Sequence, residues 1–407
     1  MTVPMSDAST PPPHATTPLP SPEQLVRSVQ ARLNHLDPQI GAALVDVPRA
    51  HFLPGIPLEQ VYSDTAIPIK KAFDGTVTSS ASQPSMMTIM LEQLDLRPGD
   101  NILEVGAGSG YNAAIMQYLV GHQGHVTSIE LDQEVAENAR NNLQRAAMTS
   151  VNVVTGDGLH GYAPRAAYDR ILATAAIWDI PRAWLRQLRP NGRLVAPVYV
   201  EGFQMSGAFV AQRDGTMLST ANSVCLFVWM QGQRTSSTAG FGAGFSIPVQ
   251  GGLFLDAIAP MDSTAVAHLL GDDAETGYFD SPTQWADLWQ GFLPWLAIHR
   301  PHEIQLAGFR CDGHVYGLEG AGFALFSPGS ACFVQLADPP VVRYFGAADT
   351  YLTLHDMLKA WESAGRPGQE QIRLRFIPIE AQPAGTGDLG GKTYRRIDHL
   401  LHIWMEE

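Results

Sequence analysis

Leu103-Glu104-Val105-Gly106-Ala107-Gly108-Ser109-Gly110-Tyr111 is the stretch on which the fold of this chain turns. Its opening residues complete an apolar run from Asn101 that reads as a buried strand, and a helical pattern follows from Tyr111 to Val120. Between them the glycines let the backbone turn tightly and let a ligand approach the chain closely. A dinucleotide-binding turn looks similar, and a purely structural bend is the other alternative. Outward from this turn the alternation repeats. His125–Glu130 reads as a second strand before a helix over 133–147. Further strands are expected at 151–154, Tyr168–Ala173 and 192–197, the last after a helix over 181–188. Strict alternation of strand and helix implies right-handed crossovers and a doubly wound, mostly parallel α/β sheet of Rossmann-like form.

The next acidic residues sharpen the reading. Glu130 closes the second strand about 20 residues after the glycine turn, where a carboxylate can accept hydrogen bonds from ribose hydroxyls. Gly156-Asp157-Gly158 follows the third strand, where a side chain can meet an adenine amino group. A dinucleotide enzyme would set a pyrophosphate against the helix N-terminus. Glu104 stands two residues before the first glycine, and its charge would repel a pyrophosphate but attract the ammonium of an aminoacyl tail. That favours S-adenosyl-L-methionine over NAD.

The 407 residues carry a net charge of −14, with 45% apolar and 16% charged residues, which describes a globular chain long enough for two domains. An acidic chain is a poor partner for nucleic acid or for an anionic membrane surface. No run of about 18 apolar residues exists to span a bilayer. Three scattered cysteines (Cys225, Cys311, Cys332) make neither a disulfide framework nor a tetrahedral metal site, so a reducing, cytoplasmic setting is expected. Residues 1–21 read as a disordered Pro/Ser/Thr-rich tail, ending where Ser21 caps a helix that starts at Pro22. The pattern changes near 233–245, which divides a catalytic region at 22–235 from an accessory α+β domain at 245–407. That accessory region is a candidate for peptide recognition through Trp285, Trp289 or Trp295, although aromatics at helical spacing are more often core. Its acidic cluster, Asp272, Asp273, Glu275 and Asp280, reads as a solvated loop. His122 with His125, and His299 with His302, lie in turn-rich stretches, and no metal is expected.

Across roughly residues 25–232 the chain resembles the protein-L-isoaspartate O-methyltransferase family. The resemblance rests on Val47-Pro48-Arg49-Ala50-His51-Phe52-Leu53-Pro54, on Ser80-Ala81-Ser82-Gln83-Pro84, and on the glycine turn with Gly156-Asp157-Gly158. It continues through Asp169–Ala176, Ile180-Pro181 and Gln187–Val198. It implies an S-adenosyl-L-methionine-dependent carboxyl methyltransferase with Gln83, Glu104, Gly106, Ala107, Gly108, Glu130, Asp157 and Gly158 around the cofactor. It further implies Thr78 and Ser80 at the substrate, and Ser82 as the hydroxyl that steers the acceptor. A carboxylate is already ionised at neutral pH, so no general base is expected. The bland alternative for Ser82 is a cap on the helix beginning near Pro84.

Two departures stand out. The loop Phe73–Ser80 is longer and richer in hydroxyls than the family form, and the chain continues far beyond the strand expected around Cys225–Trp229. Both resemble a branch associated with lanthipeptide and graspetide pathways. That branch implies methylation of an aspartate in a ribosomally made, modified precursor peptide, leading through a succinimide to aspartimide or isoaspartate. Repair of isoaspartyl damage in proteins is the alternative, and a non-catalytic peptide-binding module is a third.

Overall fold

The structure is a computed structural model. It describes residues 20–73, 75–232, 246–257, 261–271, 273–279, 283–381 and 390–406. Most of the tail, the boundary at 233–245, and Asp272 and Asp280 of the acidic cluster lie outside the described residues.

After N-terminal helices over Pro22–Leu33 and Pro38–Asp46, the first two strands form a hairpin, β1 (Ile67–Lys71) antiparallel to β2 (Val77–Ala81). The doubly wound unit follows with β3 (Asn101–Val105), β4 (His125–Glu130), β5 (Asn152–Thr155), β6 (Tyr168–Ala173) and β7 (Leu188–Tyr199). β3 pairs in parallel with β4 on one side and with β6 on the other. The chain therefore reverses its direction of winding at β3, and the crevice outside the carboxyl ends of β3 and β6 is where such sheets bind ligands. Val126, Ile102, Leu103, Ile171 and Leu194 are fully buried, as strands covered by helices on both faces require.

Beyond β7 the connections become short. β8 (Gln204–Ala211) and β9 (Met217–Cys225) extend the sheet as antiparallel strands. After Cys225 the chain leaves the sheet, so the strand expected around Cys225–Trp229 is instead the end of β9 followed by a strap.

A second sheet forms from β10 (Ser246–Val249), β11 (Leu253–Ala257), β12 (Glu275–Gly277), β13 (Gln305–Cys311), β14 (Ala321–Ser327), β15 (Ser330–Gln335) and β16 (Val341–Gly346). It is antiparallel throughout, in the order β10-β11-β13-β14-β15-β16-β12. The chain then returns to the first sheet with β17 (Ile372–Pro378), β18 (Lys392–Arg395) and β19 (His399–Met405), giving ten strands in the order β18-β19-β17-β9-β8-β7-β6-β3-β4-β5. The accessory domain expected over 245–407 is thus not one separate body, because its last strands finish the catalytic sheet. Phe209 on β8 packs edge-on against Phe376 on β17, with centroids 5.4 Å apart. One continuous core joins Ile171, Trp184 and Leu194 to Phe292, Trp295, Phe323 and Trp361.

Candidate active site

The glycine turn sits at the reversal point. Gly106 has φ +101° and Gly108 φ +52°, backbone that favours glycine. A Cβ on Gly106 would stand 2.4 Å from Thr174 Oγ1, and one on Gly108 would stand 3.3 Å from the Ser80 carbonyl oxygen. The turn and the hairpin are therefore pressed together. Around them lies a cavity of about 370 Å³, lined by Gly106, Ala107, Gly108, Glu130, Gly158 and Ser82 among others. That volume falls within the usual range for small-molecule sites, about 300–1,000 Å³.

Glu130, at the end of β4, accepts the Gly108 N–H at 3.1 Å with one oxygen and the Asp132 N–H at 3.2 Å with the other. Burial raises its pKa against those hydrogen bonds. The carboxylate is thus fixed on the cavity rim, half satisfied, and able to accept from hydroxyls. Lys70 on β1 donates to Asp132 at 2.7 Å and to Glu134 at 2.8 Å, tying the hairpin to the helix after β4. The Lys70 bond also lowers the Asp132 pKa.

Ser82 stands between this cavity and a second, larger one, and borders both, as do Thr78 and Ser80. The helix Pro84–Leu94 takes Gln83 as its N-cap and makes no side-chain capping bond. Ser82 is therefore not spent as a helix cap. Its position is held from behind by Arg49, which is fully buried. Arg49 Nη2 donates to the Ser82 carbonyl at 2.9 Å and to the Ala81 carbonyl at 3.4 Å. The same guanidinium reaches the carbonyls of Val61, Ser63 and Thr65 at 3.0–3.2 Å. A planar fork of five donors suits a hub of this kind, whereas a lysine ammonium could not reach all of these carbonyls.

Residues 21–235 match the family described as Protein-L-isoaspartate(D-aspartate) O-methyltransferase. The chain belongs to this family. It is 41% identical over 219 residues to the protein-L-isoaspartate O-methyltransferase of Hyperthermus butylicus, covering 52% of this chain and 87% of that protein. It is 43% identical over 192 residues to protein-L-isoaspartate O-methyltransferase 2 of Archaeoglobus fulgidus, covering 47% and 83%. A solved protein-L-isoaspartate O-methyltransferase shares the fold with a TM-score of 0.50 and 22% identity, over 87% of this chain and 96% of its own. The shared fold therefore runs well past residue 235.

This methyltransferase uses S-adenosyl-L-methionine, and the cavity fits that cofactor: a glycine turn with no room for a Cβ at Gly106 and little at Gly108, a rim carboxylate with acceptor capacity to spare, and Gly158 in the lining. A Cβ on Gly158 would meet Val105 at 2.3 Å, and its carbonyl accepts from the buried Trp184 indole at 2.8 Å.

Three expected cofactor residues are not among those lining this cavity. Glu104 does not reach the cavity wall. It is fully buried, accepting from Ser128 Oγ at 2.5 Å and from Asn112 Nδ2 at 2.8 Å, and burial pushes its carboxyl up to about 7. Asn112, which it holds, is the side chain that lines the cavity. Glu104 therefore does not stand directly at the cavity, because its carboxylate is turned to Ser128 and Asn112. Asp157 caps the short turn after β5 through the Leu159 N–H at 3.0 Å, and Gly232 lies against its carboxylate. Gln83 donates to the Asp64 carbonyl at 3.0 Å and borders only the larger cavity.

Lys70, Asn112 and the hub role of Arg49 escape sequence reasoning. Arg49 lies within the Val47–Pro54 motif, so the motif was visible, but its partners 12–33 residues away were not.

Proposed function

We propose that the enzyme transfers a methyl group to the free α-carboxylate that an L-isoaspartyl residue leaves outside the main chain of a polypeptide. The observation that carries this reading is the position of Ser82 at the junction of a cofactor-sized cavity and a wider groove open to a chain. Bound S-adenosyl-L-methionine supplies an electrophilic methyl on a sulfonium. The protein's own residues position the acceptor and exclude water. The carboxylate arrives ionised, so no base is needed. Ser82 donates one hydrogen bond to it without adding a competing charge, and the Arg49 hub keeps that hydroxyl in place. The hairpin and the strap after β9 wall off solvent. The strap is pinned by Ala176, whose N–H donates to Val228 at 2.8 Å and whose carbonyl accepts from Met230 at 3.0 Å. Orientation of this kind contributes on the order of 7–11 kcal/mol. Away from the enzyme, the following main-chain nitrogen attacks the ester carbonyl, losing its proton as methanol departs, and a succinimide forms that water reopens.

A second reading is an aspartate in a ring-constrained ribosomal precursor peptide, favoured by a groove wider than a lone isoaspartyl side chain requires. The family match and the named relatives support the isoaspartyl reading better. Radiolabelled methyl transfer to matched isoaspartyl and aspartyl peptides separates the two. Exclusive labelling of the aspartyl form would overturn the first.

A further inference from the structure

The second cavity encloses about 1,630 Å³, well above the usual small-molecule range. It is continuous with the cofactor cavity along Thr78, Ser80, Ser82 and Val228-Trp229-Met230, which border both. Its near wall belongs to the catalytic half. Its far wall comes from beyond residue 245: Trp285, Trp289 and Gln290, with Asp256, Arg310 and Asp312 around them.

The far wall is built on an irregular helical turn packed against the core. A π-helical turn spans Leu288–Phe292, and such turns are rare and recur at functional sites. Its inner residues Leu288, Gly291 and Phe292 are buried. Gly291 sits so tightly on Trp361 that a Cβ would come within 2.7 Å of the indole, and Phe292 stacks on Trp295 with centroids 6.5 Å apart. Trp289, half-buried against the same core, and the exposed Gln290 line the groove. Trp295, by contrast, is core. Arg310 sets its guanidinium carbon over the Phe254 ring, 3.9 Å from the centroid, and its Nη1 donates to Asp312 Oδ1 at 3.4 Å. Half-buried tryptophans ringed by charged side chains have the layout of a protein-binding surface, with an aromatic centre and a polar rim.

We infer that the C-terminal half reads the polypeptide flanking the methyl acceptor, with Trp285 and Trp289 forming a platform for a large apolar side chain near that residue. This rests on the proposed carboxyl methylation of a polypeptide. A tryptophan platform presents large contact area at low entropic cost, so it discriminates flanking residues without touching the reacting carboxylate.

The test uses the full chain with S-adenosyl-L-homocysteine for binding and S-adenosyl-L-methionine for turnover. Two fluorescent isoaspartyl peptides of equal length are compared, one flanked by Phe and Leu and the other by Gly and Ser. Trp289→Ala, and Trp285→Ala beside it, should raise Kd and KM for the apolar-flanked peptide by about tenfold. Both values for the Gly/Ser peptide, kcat and cofactor affinity should stay near wild type. Trp289→Phe, which keeps an aromatic platform, should restore most of the loss. Equal losses on both peptides would mean a structural role, and no loss on either, or no binding of either by wild type, would equally overturn the assignment. If wild type distinguishes the peptides through Trp289 yet methylates neither, the groove assignment stands and the isoaspartyl reading falls.

Discussion

Strands β3–β6 and strands β13–β16 both bury apolar residues on two faces, yet they serve the groove in different ways. In the parallel set every strand points the same way, so the turns after β3, β4 and β5 gather at one end, and Gly106, Glu130 and Gly158 meet there. In the antiparallel set successive turns alternate between the two ends. No such crevice of converging loops arises, and the C-terminal half reaches the groove through a side wall instead. Chemistry is therefore concentrated on the loops of the first region, and contact area on the flank of the second.

The comparison is tested most severely by removing the second region. Ending the chain after residue 232 strips β17 from β9 and removes Leu374, Phe376, Leu401 and Ile403, all fully buried, which uncovers Phe209 and Met217 on the remaining strands. At about 1.5–3 kcal/mol for each such side chain, the loss rivals the whole stability of a typical domain. The shortened protein should fail to unfold cooperatively by circular dichroism. A sharp thermal transition with retained cofactor binding would show that the catalytic region stands alone.

Within the first region, Ser82→Ala should lower kcat on the order of 10²-fold, the scale of a misplaced acceptor, with cofactor affinity nearly unchanged. Wild-type turnover would remove Ser82 from the mechanism. Glu130→Ala should weaken S-adenosyl-L-methionine binding by roughly 1–3 kcal/mol, read by calorimetry. An unaltered isotherm would take Glu130 off the cofactor.

Arg49→Lys should reduce kcat by about tenfold through the Ser82 carbonyl, while leaving cofactor affinity intact. The informative measurement is a double-mutant cycle with Ser82→Ala, in which the two losses should fall short of adding. Full additivity would leave Arg49 a purely structural hub.

The smallest effect concerns Glu104. Its carboxyl titrates near 7 in the folded protein against 4.5 for the unperturbed group, so the folded state holds that proton more tightly than the unfolded chain. Its contribution to stability is present below about pH 4.5 and is lost as pH rises to about 7. Glu104→Gln should flatten the fall in melting temperature between pH 5 and pH 8, a range on the scale of such titrations. Parallel curves for the two proteins would contradict the assignment.

Much of this molecule was legible along the chain. The bounds of β3, β4 and β6 and of the helix Tyr111–Val120 follow from apolar periodicity and from the glycines that end them. Ser21 caps its helix as its position before Pro22 implies, through the Gln24 N–H at 3.4 Å. These features are local, and local sterics and burial decide them. Three things were decided only by tertiary structure. Glu104 turned inward to Ser128 and Asn112, because which face of a central strand meets the helix layer depends on its neighbours. β17–β19 crossed the apparent boundary to finish the first sheet, because an edge strand's partner is chosen by exposed hydrogen-bonding groups and apolar area rather than by closeness in sequence. Trp289 came to line the same groove as Ser82, although more than 200 residues separate them, because a shared core fixes the two halves together.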